Sequence, residues 1–310
     1  MLISASRRTD IPAHYSEWFW NRLQEGYALV RNPVNPHQVS RVCLASDQVA
    51  GIVFWTKNPI PMLEQLDRLR GYLYCFQFTV TSYGADVEPG VPSKSRQIIP
   101  AFQRLSDRIG PERVIWRYDP ILYSSTYTMD YHIRYFAELA KRLAPYTKKC
   151  TISFLDVYRK IAKRMAEQGI WAPSAVEQRA LAKELSAIAH SYGLPVETCA
   201  EEIDLQAYGI GHGHCIDGSL WEKWLGRPLR GGKDKNQRLA CGCVESVEIG
   251  AYDTCPNGCC YCYASTDAAA AAARRAGHDP HSPLLWGKLE PEDRVTERKG
   301  NRSLAGQLTF

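Results

Sequence analysis

The sequence feature that most restricts the possible folds is a set of six short apolar stretches in the first two hundred residues. A helical pattern follows each stretch. The stretches read LISAS, GIVFW, YLYCFQF, RVIWRY, CTISFL and LPVETC. Strands that are apolar throughout, separated by helices, are typical of parallel βα units with both faces of the sheet covered. We therefore predict an α/β fold, a partial or closed parallel βα barrel, over residues 1–202. Residues 203–310 are predicted to form a Cys/Gly-rich cap, a following helix and a surface tail.

Charged and polar residues collect directly after these strands. Because the carboxyl ends of parallel strands meet at one face of a barrel, we expect them to line its mouth. Arg117 and Asp119 lie two apart, so an extended segment would place them on one face, where they could form an ion pair or contact a ligand. The candidates for catalysis are Arg117, Asp119 and Glu201, and those for cofactor binding are Arg7, Arg8, Lys57 and Asn58.

The stretch YDTCPNGCCYCYAST places four cysteines within eight residues near the end of the chain. Cys255, Cys259 and Cys262 have the spacing C-x3-C-x2-C, which suits three thiolates on a cubane cluster and leaves the fourth iron open. Structural zinc sites favour paired C-x2-C knuckles, and only Cys259 and Cys262 have that spacing. An iron–sulfur cluster, a zinc ion and free or redox-active thiols remain alternatives, in that order.

This triple spacing, with Tyr261 directly before the third cysteine, resembles the signature of the radical S-adenosylmethionine (SAM) enzymes, and the surrounding residues are similar to the spore photoproduct lyase branch. The resemblance implies a [4Fe-4S] cluster on Cys255, Cys259 and Cys262, whose open iron binds SAM. It also implies that Tyr261 lies near the adenine and that Cys260 is not a ligand. An electron from a flavodoxin or ferredoxin would cleave SAM to a 5'-deoxyadenosyl radical. The implied substrate is a small molecule or a nucleic-acid lesion.

The order of the parts departs from that pattern, because the cysteine loop comes last instead of after the first strand. The stretches SASRRTDIPA, FWTKNP and WRYDPI, together with the cysteine cluster, resemble a family of unknown function, DUF1848. A permuted barrel would keep the loop at the usual mouth if the strand at 247–250 lay beside the strand at 2–6. We expect this pairing.

Four further cysteines could form a second metal site, either a closed cubane or a zinc tetrahedron. Taken singly, Cys199 and Cys215 are as readily explained as buried core residues. Cys241 and Cys243 flank one glycine, which suits a turn around a metal. One of the four could instead complete the first cluster. The candidates are Cys199, Cys215, Cys241 and Cys243.

The composition fits a cytoplasmic protein with no membrane partner. No apolar run approaches the length of a membrane span, and the first residues lack the apolar core of a signal peptide. Eleven cysteines in a chain with a net charge of +5 point to metal or redox chemistry in a reducing compartment. The rival to an enzyme is a non-catalytic iron–sulfur or zinc protein that senses, transfers electrons or stabilises structure.

Overall fold

The computed structural model describes residues 1–229 and 231–298. In chain order its elements are β1 (Leu2–Ala5), α1 (Ile11–His14), α2 (Ser16–Glu25), β2 (Tyr27–Arg31), β3 (Gln38–Cys43), β4 (Gly51–Thr56), α3 (Ile60–Leu63), β5 (Tyr74–Thr79), α4 (Ile99–Ile109), β6 (Val114–Ile121), α5 (Met129–Leu143), β7 (Cys150–Phe154), α6 (Arg159–Glu167), α7 (Ala175–Ser191), β8 (Val196–Cys199), β9 (Gly211–Gly213), α8 (Gly218–Leu225), β10 (Val247–Glu248), α9 (Ala268–Ala276) and β11 (Arg294–Glu297).

Eight strands form one sheet in the order β10-β1-β4-β5-β6-β7-β8-β9, and every neighbouring pair is parallel. This confirms the predicted α/β fold with a parallel sheet. The two edge strands, β10 and β9, share no ladder among the described residues, which is consistent with a partial barrel and not a closed one. The predicted boundary at residue 202 falls between β8 and β9, so strands from both sides of it belong to the same sheet.

Alternate residues along each strand divide the sheet into two faces. Phe54, Phe76 and Trp116 face outward into the main core, which also contains apolar residues of α2, α4, α5 and α7. Val53 and Ile115 belong to a smaller core on the other face. That inner core includes a tryptophan of α8 and three cysteines of the C-terminal region. The sheet is therefore covered on both sides, as its continuous apolar strands predict.

The helices begin where side chains can satisfy their free N–H groups. Thr128 accepts from the N–H of Tyr131 at the start of α5, and Ser174 and Glu177 form a reciprocal capping box at the start of α7. Such caps contribute on the order of 1 kcal/mol each. They fix the points at which the chain turns from the carboxyl ends of the strands into the covering helices.

The expected pairing of the strand at 247–250 with the strand at 2–6 is confirmed. β10 runs parallel to β1, with Val247 opposite Ile3 and Glu248 opposite Ser4. The cysteine loop that follows β10 consequently emerges at the same edge of the sheet as Arg7, which follows β1. The helix predicted after the loop is α9.

A smaller sheet was not predicted. It contains β2 and β3, which are antiparallel, and β11, which pairs parallel to β3. β11 belongs to the predicted surface tail, and all four of its residues are exposed. The rest of that tail, residues 299–310, lies outside the described residues.

No helix among the described residues has the length and apolar character needed to cross a membrane.

We predict that Gly51 is required for the inner face of the sheet. A Cβ at Gly51 would lie 2.0 Å from Cζ3 of Trp221, and the buried indole of this α8 residue has no room to move. Gly51→Ala should lower the free energy of unfolding by about 1–3 kcal/mol through overpacking. Gly211→Ala is the matched control because Gly211 is also in a strand and a Cβ there meets nothing within 4 Å. Denaturant unfolding of both variants checks this, and equal destabilisation would contradict it.

Candidate iron–sulfur site

The cysteine loop is fastened to the N-terminal segment by hydrogen bonds of buried polar residues. Asp10 accepts from the hydroxyl of Thr56 at 2.7 Å, from the N–H of Lys57 at 2.8 Å and from the amide of Asn257 at 3.4 Å. Asn257, which lies between the first two cysteines of the loop, also bonds Nε2 of His14 at 2.8 Å. Asp10 therefore joins the end of β4 to the cysteine loop.

The loop also packs closely against the segment that follows β5. Gly90 donates its N–H to the carbonyl of Asn257 at 2.8 Å, and a Cβ at Gly90 would lie 2.6 Å from the Cα of Asn257. Within the loop, Gly258 has a φ of +65°, a conformation that glycine adopts without strain. The two glycines allow backbone contacts that hold the loop at one position on the sheet edge.

The thiols of the predicted triad lie near one another. Burial raises the pKa of the Cys259 thiol well above its usual value, and the ammonium group of Lys57 opposes this shift. The neighbouring thiols of Cys262 and Cys255 raise the pKa of Cys259 further, which places the three within electrostatic range. Burial likewise raises the pKa of Cys255 to about 12. The backbone N–H of Cys262 donates to the carbonyl of Cys259 at 3.0 Å, closing a tight turn.

Cys260 has different surroundings. Its side chain belongs to an apolar cluster with Tyr83, Val87 and Leu122, and its N–H donates to the carbonyl of Val87 at 2.9 Å. The structure therefore places the extra cysteine of the loop in a packing role and separates it from the triad.

Next to the triad lies a buried carboxylate that the sequence analysis did not identify. Glu88 is 2 % exposed and accepts from Nζ of Lys57 at 2.8 Å, from the hydroxyl of Thr81 at 2.9 Å, and from Lys94 and the hydroxyl of Tyr261. Burial alone would raise the pKa of Glu88, but the charges of Lys57 and Lys94 outweigh it and lower the pKa to about 2. Glu88 is therefore ionised and holds two predicted cofactor-binding residues, Lys57 and Tyr261, beside the cysteines.

A cavity of about 780 Å³ opens at the carboxyl ends of the strands. Most of the predicted site residues line it, although they come from seven different strands and loops. They are Arg7, Arg8, Lys57, Arg117, Asp119, Tyr261 and Cys262, joined by Cys199, Cys215, Cys241 and Cys243. Residues that follow different strands therefore meet at one mouth, as expected. The chemical roles assigned to these residues stay predictions.

Arg117 and Asp119 form an ion pair, one of the two arrangements expected from their spacing. Nη2 of Arg117 lies 2.5 Å from Oδ2 of Asp119, and Ser153 donates to the other oxygen of that carboxylate. The guanidinium groups of Arg7 and Arg117 both lie over the ring of Trp55, 5.0 Å and 5.3 Å from its centre. The cavity wall therefore carries two guanidinium groups beside an aromatic ring, one of them paired with Asp119.

Two predicted site residues make structural contacts instead. Oδ1 of Asn58 accepts the N–H of Ile60 at 3.2 Å, at the beginning of α3. Glu201 accepts the N–H of Phe154 at 2.8 Å, and burial raises the pKa of Glu201 to about 7. Glu201 can hence hold or release a proton near neutral pH, close to the end of β7.

The four cysteines of the predicted second site are also brought together. Cys215, Cys241 and Cys243 are buried in the inner core, and Cys199 packs against it. The neighbouring thiols of Cys199 and Cys243 lower the pKa of Cys215 well below its usual value, and Cys243 lowers the pKa of Cys241 to about 6. The group thus forms a chain of neighbouring sulfurs.

The four sulfurs are spread more widely than the ligands of one tetrahedral zinc ion. Four thiolates around one Zn²⁺ at 2.3 Å would lie about 3.8 Å apart. Among the described residues, the only three metal-ligating side chains whose atoms all lie within 4.8 Å of one another are His37, Glu290 and Asp293. There Asp293 already pairs with Arg31 at 2.6 Å.

Comparison with known proteins identifies a family. No curated protein and no solved structure matches the chain. Residues 2–264 match the domain of unknown function DUF1848, a stretch that runs from β1 through the third cysteine of the triad and contains every residue of both cysteine groups. Because the match covers most of the 310 residues, the chain belongs to the DUF1848 family.

Proposed function

We propose that this protein is an iron–sulfur enzyme of the radical SAM type, with a [4Fe-4S] cluster on Cys255, Cys259 and Cys262. The observation that carries the proposal is the position of the triad: three neighbouring thiols on one tight loop, with Cys262 on the wall of a cavity at the carboxyl edge of a parallel sheet. When bound, such a cluster with one iron free of protein ligands supplies an electron to SAM and so generates a 5'-deoxyadenosyl radical.

The order of strands in space supports this proposal. The cysteine loop follows β10, which is the first strand of the sheet in space, and β1, β4, β5, β6 and β7 follow it in chain order. If β10 stood at the start of the chain, the sheet would have the arrangement that the resemblance implies, with the loop after the first strand of a partial barrel. The permutation changes the connections between strands and leaves the site where it was.

The residues around the triad fit an anionic cluster and a charged cofactor. Lys57 places a buried ammonium group near Cys259, and its Nζ lies 5.5 Å from the centre of the Tyr261 ring. Glu88 fixes both side chains by hydrogen bonds, so neither has to be ordered when a ligand binds. We assign Lys57 and Tyr261 to cofactor binding and Glu88 to positioning them.

The cavity suggests the class of substrate. Its volume of about 780 Å³ lies within the range of small-molecule sites, which is about 300–1,000 Å³. Arg7 and Arg8 are on its wall, and the guanidinium of Arg8 lies over the ring of Tyr252 at 4.8 Å. We infer a small anionic substrate or a single extruded nucleotide, bound beside SAM, with a flavodoxin or ferredoxin as electron donor.

The proposed function predicts which cysteines of the loop bind the cluster. Cys255→Ala, Cys259→Ala and Cys262→Ala should each reduce reductive cleavage of SAM to background, because three thiolates are needed to hold the cluster. Cys260→Ala is the matched control and should keep most of the activity, since Cys260 packs among apolar residues. The measurement is 5'-deoxyadenosine formed by anaerobically reconstituted, dithionite-reduced protein.

Two results would contradict the enzyme proposal. Stoichiometric zinc with no iron in the wild-type protein would exclude it. A reducible cluster that leaves SAM intact would favour the rival, a non-catalytic electron-transfer protein.

The second prediction concerns Glu88. Glu88→Gln removes the charge that orients Lys57 and Tyr261, so SAM cleavage should fall by about 10- to 100-fold, the usual cost of losing a supporting contact at a metal site. Asp86→Asn is the matched control, because Asp86 is exposed in the same loop and its carboxylate accepts from Tyr127. Iron content should be unchanged in both variants. Equal cleavage rates for E88Q and the wild type would exclude the positioning role.

Glu88 also predicts an acid dependence of stability. Its pKa in the folded protein, about 2, is below the value of about 4.3 expected in the unfolded chain. The stabilisation is therefore fully present above that unfolded value and is lost as the pH falls toward 2. The difference in free energy of unfolding between the wild type and E88Q should shrink as the pH is lowered from 6 to 3, measured by denaturant titration. A constant difference would contradict this assignment.

A further inference from the structure

The four cysteines outside the loop meet on the inner face of the sheet, although three separate segments supply them. Cys199 ends β8, Cys215 follows β9, and Cys241 and Cys243 precede β10. All four line the cavity and pack with the apolar residues of the inner core. They therefore lie between the two edge strands of the open sheet, where β9 leaves off and β10 begins.

The backbone around these cysteines has no regular secondary structure, but hydrogen bonds hold it in place. Residues 226–246 contain no helix or strand within the part of the chain that the structure describes. The N–H of Ile216 donates to Sγ of Cys243 at 3.3 Å, and Gln77 of β5 donates to the carbonyl of Cys215 at 2.6 Å. N–H donation to sulfur is typical of thiolates, since a neutral thiol is a weak acceptor. A loop without regular structure that buries several cysteines commonly owes its order to a bound metal.

Two guanidinium groups face the same thiols. Nη1 of Arg117 donates to Sγ of Cys215 at 2.8 Å, and this buried arginine also pairs with Asp119. Nη2 of Arg7 is buried and has no hydrogen-bond partner among the described residues. The carboxylate of Glu248 already accepts the backbone N–H groups of Arg7 and Gly250. A buried guanidinium nitrogen without a partner, beside four sulfurs, calls for an anionic group between them.

We propose that Cys199, Cys215, Cys241 and Cys243 bind a second [4Fe-4S] cluster, closed by four protein ligands. The sulfurs are not grouped tightly enough for a single ion, because no three of them lie within 4.8 Å of one another in the described structure. Four thiolates complete a cubane and give it the net negative charge that Arg7 and Arg117 face. This site is independent of the function proposed above, since it shares no ligand with the loop.

The test uses the full chain with the loop triad removed, C255A/C259A/C262A, because this variant leaves all four ligands of the second site intact. After anaerobic reconstitution with ferrous iron and sulfide, it should contain about four iron and four sulfide per chain. Its Mössbauer spectrum should be that of a cubane, and reduction should give the corresponding electron paramagnetic resonance signal. Adding Cys241→Ala and Cys243→Ala to this variant should remove the iron, whereas adding Cys43→Ala, a cysteine of β3 in the other sheet, should not.

Iron-free protein, or one zinc per chain, in the triad variant would overturn the proposal. The iron content of the triad variant tests the proposal even if variants of the second site fail to fold, because this measurement uses no variant of the second site. The reverse variant, C241A/C243A in an otherwise wild-type chain, separates the two proposals. If the triad variant holds iron and the reverse variant holds none, the loop cluster is excluded and the second cluster stands.

Discussion

The parallel pairing of β10 with β1 is the contact on which the rest of the site depends. Two residues of β10 are too few to hold a strand by ladder bonds alone. Side chains supply the remaining contacts: Glu248 accepts the hydroxyl of Ser4 and the N–H of Arg7, and Asn257 bonds Asp10 and His14. The N-terminal segment thus binds the C-terminal loop through buried polar groups, each of which would be costly to leave unpaired. Without this docking, the triad would lie away from the cavity and from Lys57.

The sequence predicts the larger sheet well because its information is local. A buried parallel strand is apolar throughout and a covering helix has its own period, so each βα unit can be recognised by itself. The smaller sheet has no such signal. β2 and β3 are separated by the proline-containing stretch NPVNPH, and β3 completes its pairing with β11, some 250 residues later in the chain. A pairing at that separation leaves no pattern in either segment, and neither does the contact of Trp221 with Gly51.

The candidate site shows the same division. The cysteine spacing is a property of one loop, and residues at strand ends share a mouth because of topology, so both could be predicted. Burial could not. Glu88 lies in the stretch ADVEPG, which has the composition of a solvated turn, yet four donors surround its carboxylate. Asn58 follows a strand as Lys57 does, but its side chain turns back to the N–H of Ile60. Position after a strand therefore selects candidates, and tertiary contacts decide which of them face the cavity.

If both cysteine groups bind the proposed clusters, the number of protein ligands gives the two groups different chemical capacities. A cluster held by three thiolates has an iron that can bind a small molecule, whereas one held by four can only exchange electrons. The four-cysteine group lines the same cavity as Cys262 instead of facing the outer surface. An electron entering or leaving that group would consequently pass to the contents of the cavity or to the loop site. Trp55 is also on the shared wall, where the guanidinium groups of Arg7 and Arg117 lie over its ring. Two positive charges beside a closed, anionic cluster at this position would stabilise its reduced form, because each would lower the cost of adding a further negative charge.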